Sequence, residues 1–165
     1  MISKKIVLTG CFGVGKTSLF NQFLYKKFSE KYLTTVGVKV DKKVIDIDGR
    51  QLSLLIWDIA GEVAQEKVPQ SYYLGSSAII YVFDLTRPST WLNMDSDITY
   101  LKKLLEGVII KIVGNKIDML LPDQMDYVQK ELSHPYDILT SAKTGENVEE
   151  LFHAIGKALM VEVGR

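Results

Sequence analysis

The 165 residues suffice for one domain with a substantial core, and 47% hydrophobic with 24% charged residues is ordinary for a globular chain. The 20 Lys and Arg balance 20 Asp and Glu, so net charge gives no reason to expect a nucleic-acid or anionic-membrane partner. The single cysteine, Cys11, excludes an intrachain disulfide and suits a reducing cytoplasm; no secretory signal or apolar run long enough to span a membrane is present.

In chain order, the first strand is expected over 2–9, centred on Ile6-Val7-Leu8. It runs into Gly10-Cys11-Phe12-Gly13-Val14-Gly15-Lys16-Thr17, a complete G-x-x-x-x-G-K-S/T pattern. A helix over 16–25 follows, with Leu19, Phe20, Phe23 and Leu24 spaced about a turn apart. A strand, a glycine-rich loop and a helix in that order make a phosphate cradle. The backbone N–H groups of Gly13, Val14, Gly15, Lys16, Thr17 and Ser18 turn inward, and the helix N-terminus adds partial positive charge. Lys16 reaches the β- and γ-phosphates and the Thr17 hydroxyl suits Mg²⁺. The chain is therefore expected to bind a nucleoside triphosphate.

The stretch from Lys26 to Gly37 has no clear periodicity but carries Phe28, Tyr32 and Thr34-Thr35. Such a loop can close over a nucleotide, with Thr35 offering a hydroxyl to Mg²⁺. Strands over 38–47 and 50–58 flank Asp48-Gly49, a tight-hairpin signal, so one antiparallel edge pair is expected. Asp58-Ile59-Ala60-Gly61 leaves the end of the second of these. An acid there suits a Mg²⁺ site, directly or through a metal-bound water, and the Gly61 N–H can approach a γ-phosphate. Taken alone, D-x-x-G is equally well explained as an Asp-initiated turn.

A short helix near 66–73 precedes a buried strand over 78–84, and a helix over 91–106 carries an apolar stripe of Trp91, Met94, Ile98, Leu101 and Leu105. The strand over 108–114 leads into Asn115-Lys116-Ile117-Asp118. Guanine presents two adjacent N–H donors that one carboxylate, Asp118, can accept together, whereas adenine would turn a lone pair toward it. The Lys116 stem can cover a purine face, and Asn115 can tie this loop to the phosphate loop; helix capping would account for the same Asn and Asp. A helix over 123–132, a strand over 136–140 and a helix over 147–160 complete the chain. Ser141-Ala142-Lys143, after the last strand, would bring a backbone N–H to the guanine carbonyl or act as a simple capped turn. The alternation predicts an α/β fold of the P-loop NTPase type. It is a three-layer αβα arrangement around a six-stranded, mostly parallel sheet with one antiparallel edge strand. Ligands of such sheets sit beyond the strands' carboxyl ends, where these landmarks fall.

Taken together and in this order, the phosphate loop, Thr35, Asp58-Ile59-Ala60-Gly61, Asn115-Lys116-Ile117-Asp118 and Ser141-Ala142-Lys143 make the chain strongly resemble the Ras-like small GTPase superfamily. The resemblance covers essentially all of residues 1–165 as one GTPase domain. Val36-Gly37-Val38, Leu54-Leu55-Ile56-Trp57 and Ser71-Tyr72-Tyr73-Leu74-Gly75 make it most similar to the Rab branch. It implies Lys16 on the phosphates, Mg²⁺ ligated by Thr17 and Thr35 with Asp58 acting through water, and the Gly61 N–H on the γ-phosphate. It also implies Phe28 against the guanine, with Asn115, Lys116, Asp118, Ser141, Ala142 and Lys143 around the base. Segments 26–38 and 60–73 correspond to two switches that order around GTP, relax with GDP, and meet effectors, exchange factors and GTPase-activating proteins.

Four departures from the family stand out. Glu62 occupies the place of the usual catalytic glutamine; a carboxylate can accept the attacking water's protons but also repels the γ-phosphate. Phe12 fills a loop position that is small in many relatives, Val40 replaces an aromatic of a partner-contacting triad, and no lipid-acceptor cysteine is seen: either the sequence is a piece of a longer chain or the protein does not anchor to membranes by prenylation. The expected function is a GTP/GDP switch with slow hydrolysis, in which Lys16, Thr35, Gly61 and Glu62 act on the γ-phosphate. The alternatives are a GTP-binding pseudo-GTPase or scaffold, and an ATP-dependent P-loop kinase.

Overall fold

Apart from one hairpin, strands and helices alternate along the computed structural model, which describes residues 1–164. The chain runs β1 (Ile2–Gly10), α1 (Lys16–Tyr25), β2 (Val38–Ile47), β3 (Arg50–Ile59), α2 (Gln70–Tyr73) and β4 (Ala78–Asp84). It continues through α3 (Met94–Leu104), β5 (Ile109–Asn115), α4 (Pro122–Glu131), β6 (Ile138–Thr140) and α5 (Val148–Val163). The six strands form one sheet in the order β2-β3-β1-β4-β5-β6, parallel except for the β2–β3 pair at one edge. The exception has a local cause. Asp48 and Gly49 both take positive φ, 51° and 80°, and the Gly49 N–H donates to Asp46 Oδ1 at 2.8 Å, which returns the chain at once.

Side-chain alternation along the strands feeds two cores. Ile6 and Leu8 of β1 face α1 and α5, where Phe23 and Phe152 stack with ring centroids 3.8 Å apart. Val7, between them, faces Tyr73 of α2, Ile98 and Leu101 of α3 and Val128 of α4. Every residue of β4 is buried, as befits a central parallel strand covered on both faces. The three-layer arrangement and its antiparallel edge match the expectation from sequence.

Several boundaries differ from the sequence reading. The helix near 66–73 is two pieces, a 3₁₀ turn over Gln65–Lys67 and then α2, because Pro69 lacks an N–H and holds Val68 extended at ψ 135°. The helix expected over 91–106 begins at Met94, after a 3₁₀ turn at Pro88–Thr90, and ends at Leu104, where the chain leaves helical geometry at Leu105 (ψ 86°) and Gly107 takes positive φ. Strand β6 is shorter than 136–140: the Asp137 N–H still bonds the Ile112 carbonyl, but its carboxylate accepts from the Ile112 N–H in place of a backbone partner. The last helix runs to Val163, past the expected 160, and Ile117–Met119 forms an unanticipated 3₁₀ turn.

Candidate nucleotide-binding site

The strand ends do the positioning. Register pairs Asp84 with Asn115 across β4 and β5, and Asn115 with Thr140 across β5 and β6, so three polar residues line up where the sheet meets the loops. In front of them opens a cavity of about 440 Å³. One end is formed by Gly13, Gly15, Lys16, Thr17 and Ser18, with Gly61 beside them. Asn115, Lys116, Asp118, Ala142 and Lys143 form the other end, and the segment carrying Phe28, Tyr32 and Thr35 closes the side. Val14, Asp58, Glu62 and Ser141 stand outside this lining.

Gly15 cannot be another residue here. Its φ of 101° is left-handed, and a Cβ would lie 2.2 Å from Asn115 Nδ2. That contact belongs to a clamp: Asn115 Nδ2 donates to the Val14 carbonyl at 3.0 Å, while its Oδ1 accepts from Thr140 Oγ1 at 3.0 Å and the Ala142 N–H at 3.2 Å. One carboxamide thus joins the phosphate loop, β5 and the 141–143 loop, with Val14 contributing from behind. Lys116 Nζ adds a second tie, donating to the Gly13 carbonyl at 2.8 Å and pairing with the buried Asp84 carboxylate at 2.9 Å. Asp118 is aimed by Ser141, whose hydroxyl donates to Oδ1 at 2.7 Å. At the mouth, Lys143 pairs with Glu30 at 3.3 Å, bridging the 141–143 loop and the 26–37 segment.

The end formed by the Gly10–Thr17 loop is electropositive. Lys16 Nζ rests on the Cys11 and Gly10 carbonyls at 2.7 and 3.3 Å, and burial lowers its pKa to about 8 against the opposing pull of Asp58. The first turn of α1 has no acidic side chain to offset its N-terminal amides. Beside it Thr17 Oγ1 donates to Asp58 Oδ2 at 2.6 Å and lies 2.7 Å from Thr35 Oγ1. Asp58 Oδ1 is buried with no hydrogen-bond partner, and burial pushes this carboxyl above its usual range. Hard oxygen donors around an orphaned carboxylate oxygen fit Mg²⁺, which takes few protein ligands and keeps waters and phosphates for the rest. Among the described residues no group of three or more His, Cys, Asp or Glu converges, consistent with hydroxyls supplying two of these donors.

Glu62 is half-buried, its N–H bonded to the Gly10 carbonyl at 3.2 Å. Phe12 is 44% exposed in the cavity wall, and Arg87 Nη1 caps its carbonyl at 3.1 Å. In the triad noted from sequence, Val40 faces Trp57 across the β2–β3 pair, Lys5 Nζ covers the Trp57 ring at 3.7 Å, and Tyr72 is the outward tyrosine while Tyr73 is buried. Sequence reasoning passed over Asp84, Arg87 and Gln65. Asp84 was findable: like Asp58, it is an acid ending an apolar strand.

A parallel sheet with a phosphate loop at its centre and an Asn-Lys-x-Asp loop two strands away defines a P-loop nucleotide-binding protein of the GTPase class. Residues 5–161 match the Ras family, and the chain belongs to it as a small GTPase. Ras-related protein SEC4 of Saccharomyces cerevisiae is 34% identical over 164 residues, 96% of this chain and 76% of the relative. Ras-related protein Rab-1 of Theileria annulata is 36% identical over 171 residues, 96% of this chain and 75% of the relative. Ras-related protein Rab-37 of Mus musculus is 34% identical over 171 residues, 99% and 76% respectively. Among the described residues no helix is long and apolar enough to cross a membrane.

Proposed function

We propose that residues 1–165 form one domain that binds GTP and GDP with Mg²⁺, hydrolyses GTP slowly, and signals through partners contacting segments 26–38 and 60–73. The observation that carries this reading is the placement of Asp118 and Lys16 at opposite ends of one cavity. A carboxylate held by Ser141 at one end selects two adjacent N–H donors, and a desolvated ammonium with helix amides at the other attracts a polyphosphate. Mg²⁺, held by the Thr17 and Thr35 hydroxyls with Asp58 behind them, would supply charge neutralisation on the triphosphate. Lys16 adds a fixed positive charge, the Gly61 N–H supports the γ-phosphate, and the Glu62 carboxylate orients the attacking water. Phe28 packs against the base. Exchange of GTP for GDP alters what the Thr35 and Gly61 segments can hold, and partner affinity follows from that difference.

The test is competition. GTP should displace bound fluorescent GDP at concentrations at least a thousandfold below those of ATP, because adenine leaves the Asp118 carboxylate unpaired. Asp118→Asn should weaken GTP and shift preference toward xanthosine triphosphate; unchanged GTP preference in that variant refutes the base contact. A binding-only scaffold is the second reading, favoured by Phe12 in the cavity wall and Glu62 outside its lining. Single-turnover conversion of bound GTP to GDP excludes it, and no conversion over hours establishes it.

A further inference from the structure

Behind the 60–73 segment lies a cluster of polar side chains in an otherwise apolar layer. Thr9, Gln65 and Asp97 are buried together with Tyr73 and Tyr81, and they come from β1, the Gln65–Lys67 turn, α3, α2 and β4 respectively. At its centre Gln65 is wholly buried. Its Oε1 accepts from the Thr9 hydroxyl and, at 3.1 Å, from the Tyr73 hydroxyl. Its backbone N–H donates to Asp97 Oδ1 at 2.9 Å, and Asp97 Oδ2 accepts from the Tyr81 hydroxyl at 2.7 Å. Its Nε2 points the other way, toward the site, and donates to the Glu62 carbonyl at 3.1 Å.

An apolar side chain could anchor this turn without any of these bonds, since buried polar groups add stability only when all are satisfied. What an apolar residue cannot do is hold a carbonyl. With the Glu62 N–H on Gly10 and its carbonyl on Gln65, residue 62 is fixed at both ends of its backbone. The neighbouring Gly61 sits so close to the phosphate loop that a Cβ would lie 2.7 Å from the Phe12 backbone, so the segment has no slack on that side. Asn93 Nδ2 secures the next carbonyl, of Val63, at 3.0 Å.

We propose that Gln65 is a positioning residue for GTP hydrolysis: its carboxamide, braced by Thr9, Tyr73 and Asp97, sets the direction from which the Glu62 carboxylate meets the attacking water. This rests on the assignment of Glu62 made above, and it adds a residue that contacts neither nucleotide nor water. The polar cluster thus extends the site through the core to β1 and α3, and Tyr81 on β4 lies outside that extension.

The experiment is a cycle of four proteins, unaltered, Glu62→Ala, Gln65→Met and the double variant, each measured for single-turnover GTP hydrolysis and for GTP and GDP affinity. Gln65→Met keeps the volume and removes the hydrogen bonds. It should slow hydrolysis about tenfold, as expected for a misaimed group, with both affinities within twofold of the unaltered protein. In the Glu62→Ala background the same change should have no further effect, because residue 62 then has nothing to aim. Tyr81→Phe, which breaks a bond elsewhere in the cluster, should lower the melting temperature yet leave the rate within twofold. If Gln65→Met does not fold, Gln65→Asn replaces it, keeping an amide before Thr9 and Tyr73 but falling a methylene short of Glu62. Equal slowing in both backgrounds, or none in either, overturns the proposal. The broader reading fails separately: unaltered protein that does not convert GTP removes the GTPase function, and Glu62→Ala at full rate removes the role of Glu62.

Discussion

Asn115 is the residue on which most of the site's geometry converges. It holds the Val14 carbonyl, 101 positions away in sequence, together with Thr140 and Ala142, and it closes the space above Gly15. Asn115→Ala would leave buried groups on three segments unpaired, at a cost of about 1–3 kcal/mol each where water cannot replace the bond. The expected outcome is release of labelled GDP at least tenfold faster, with secondary structure by circular dichroism unchanged. Cys11 illustrates the opposite case. Its thiol is buried among the Val63 and Thr90 carbonyls, and burial, with Asp97 adding to it, pushes its pKa up, so little thiolate forms and the residue behaves as a small apolar group.

Among the elements, α5 shows how periodicity becomes stability. Leu151, Phe152, Ile155 and Leu159 recur at helical spacing and are all buried against the sheet, with Phe152 stacked on Phe23 of α1. Truncating Phe152→Ala removes this ring from a close-packed layer and should cost about 3–5 kcal/mol, read as a lower urea midpoint at unchanged m-value. The stripe of α3 was legible in sequence because the signal repeats within the element. The 65–73 region was not, since its apolar residues suggest one helix while Pro69 divides it and the pull of Gln65 into the core comes from Thr9, Tyr73 and Asp97, remote in sequence.

For the whole molecule, the two cores differ in character. The layer over α1 and α5 is apolar, whereas the layer over α2, α3 and α4 carries the Gln65 cluster with a carboxyl at its base. Burial raises the Asp97 pKa, with the Gln65 N–H and the Tyr81 hydroxyl pulling it back. The folded protein therefore holds this proton at pH values where the unfolded chain has lost it. That contribution is fully present below the ordinary carboxyl range and is lost as pH rises through the raised folded value. Asp97→Asn has no such proton to lose. Comparing melting temperatures upward from about pH 4, the unaltered protein should decline relative to the variant across that window and run parallel to it above.

Residue order by itself determined the αβ alternation, the Asp48-Gly49 edge hairpin, the phosphate loop and the two loops carrying Asp58 and Asp118. Each is written in a few contiguous residues, through side-chain period, backbone φ or hydrogen-bonding capacity. Tertiary structure alone decided that Ser141 aims Asp118, that Asp84 anchors Lys116, and that Gln65 turns inward to hold Glu62. Those bonds join groups that meet only when strands register and helices dock. A polar residue in a loop has many solvent-facing alternatives of similar energy until the fold removes the water and leaves it one set of partners.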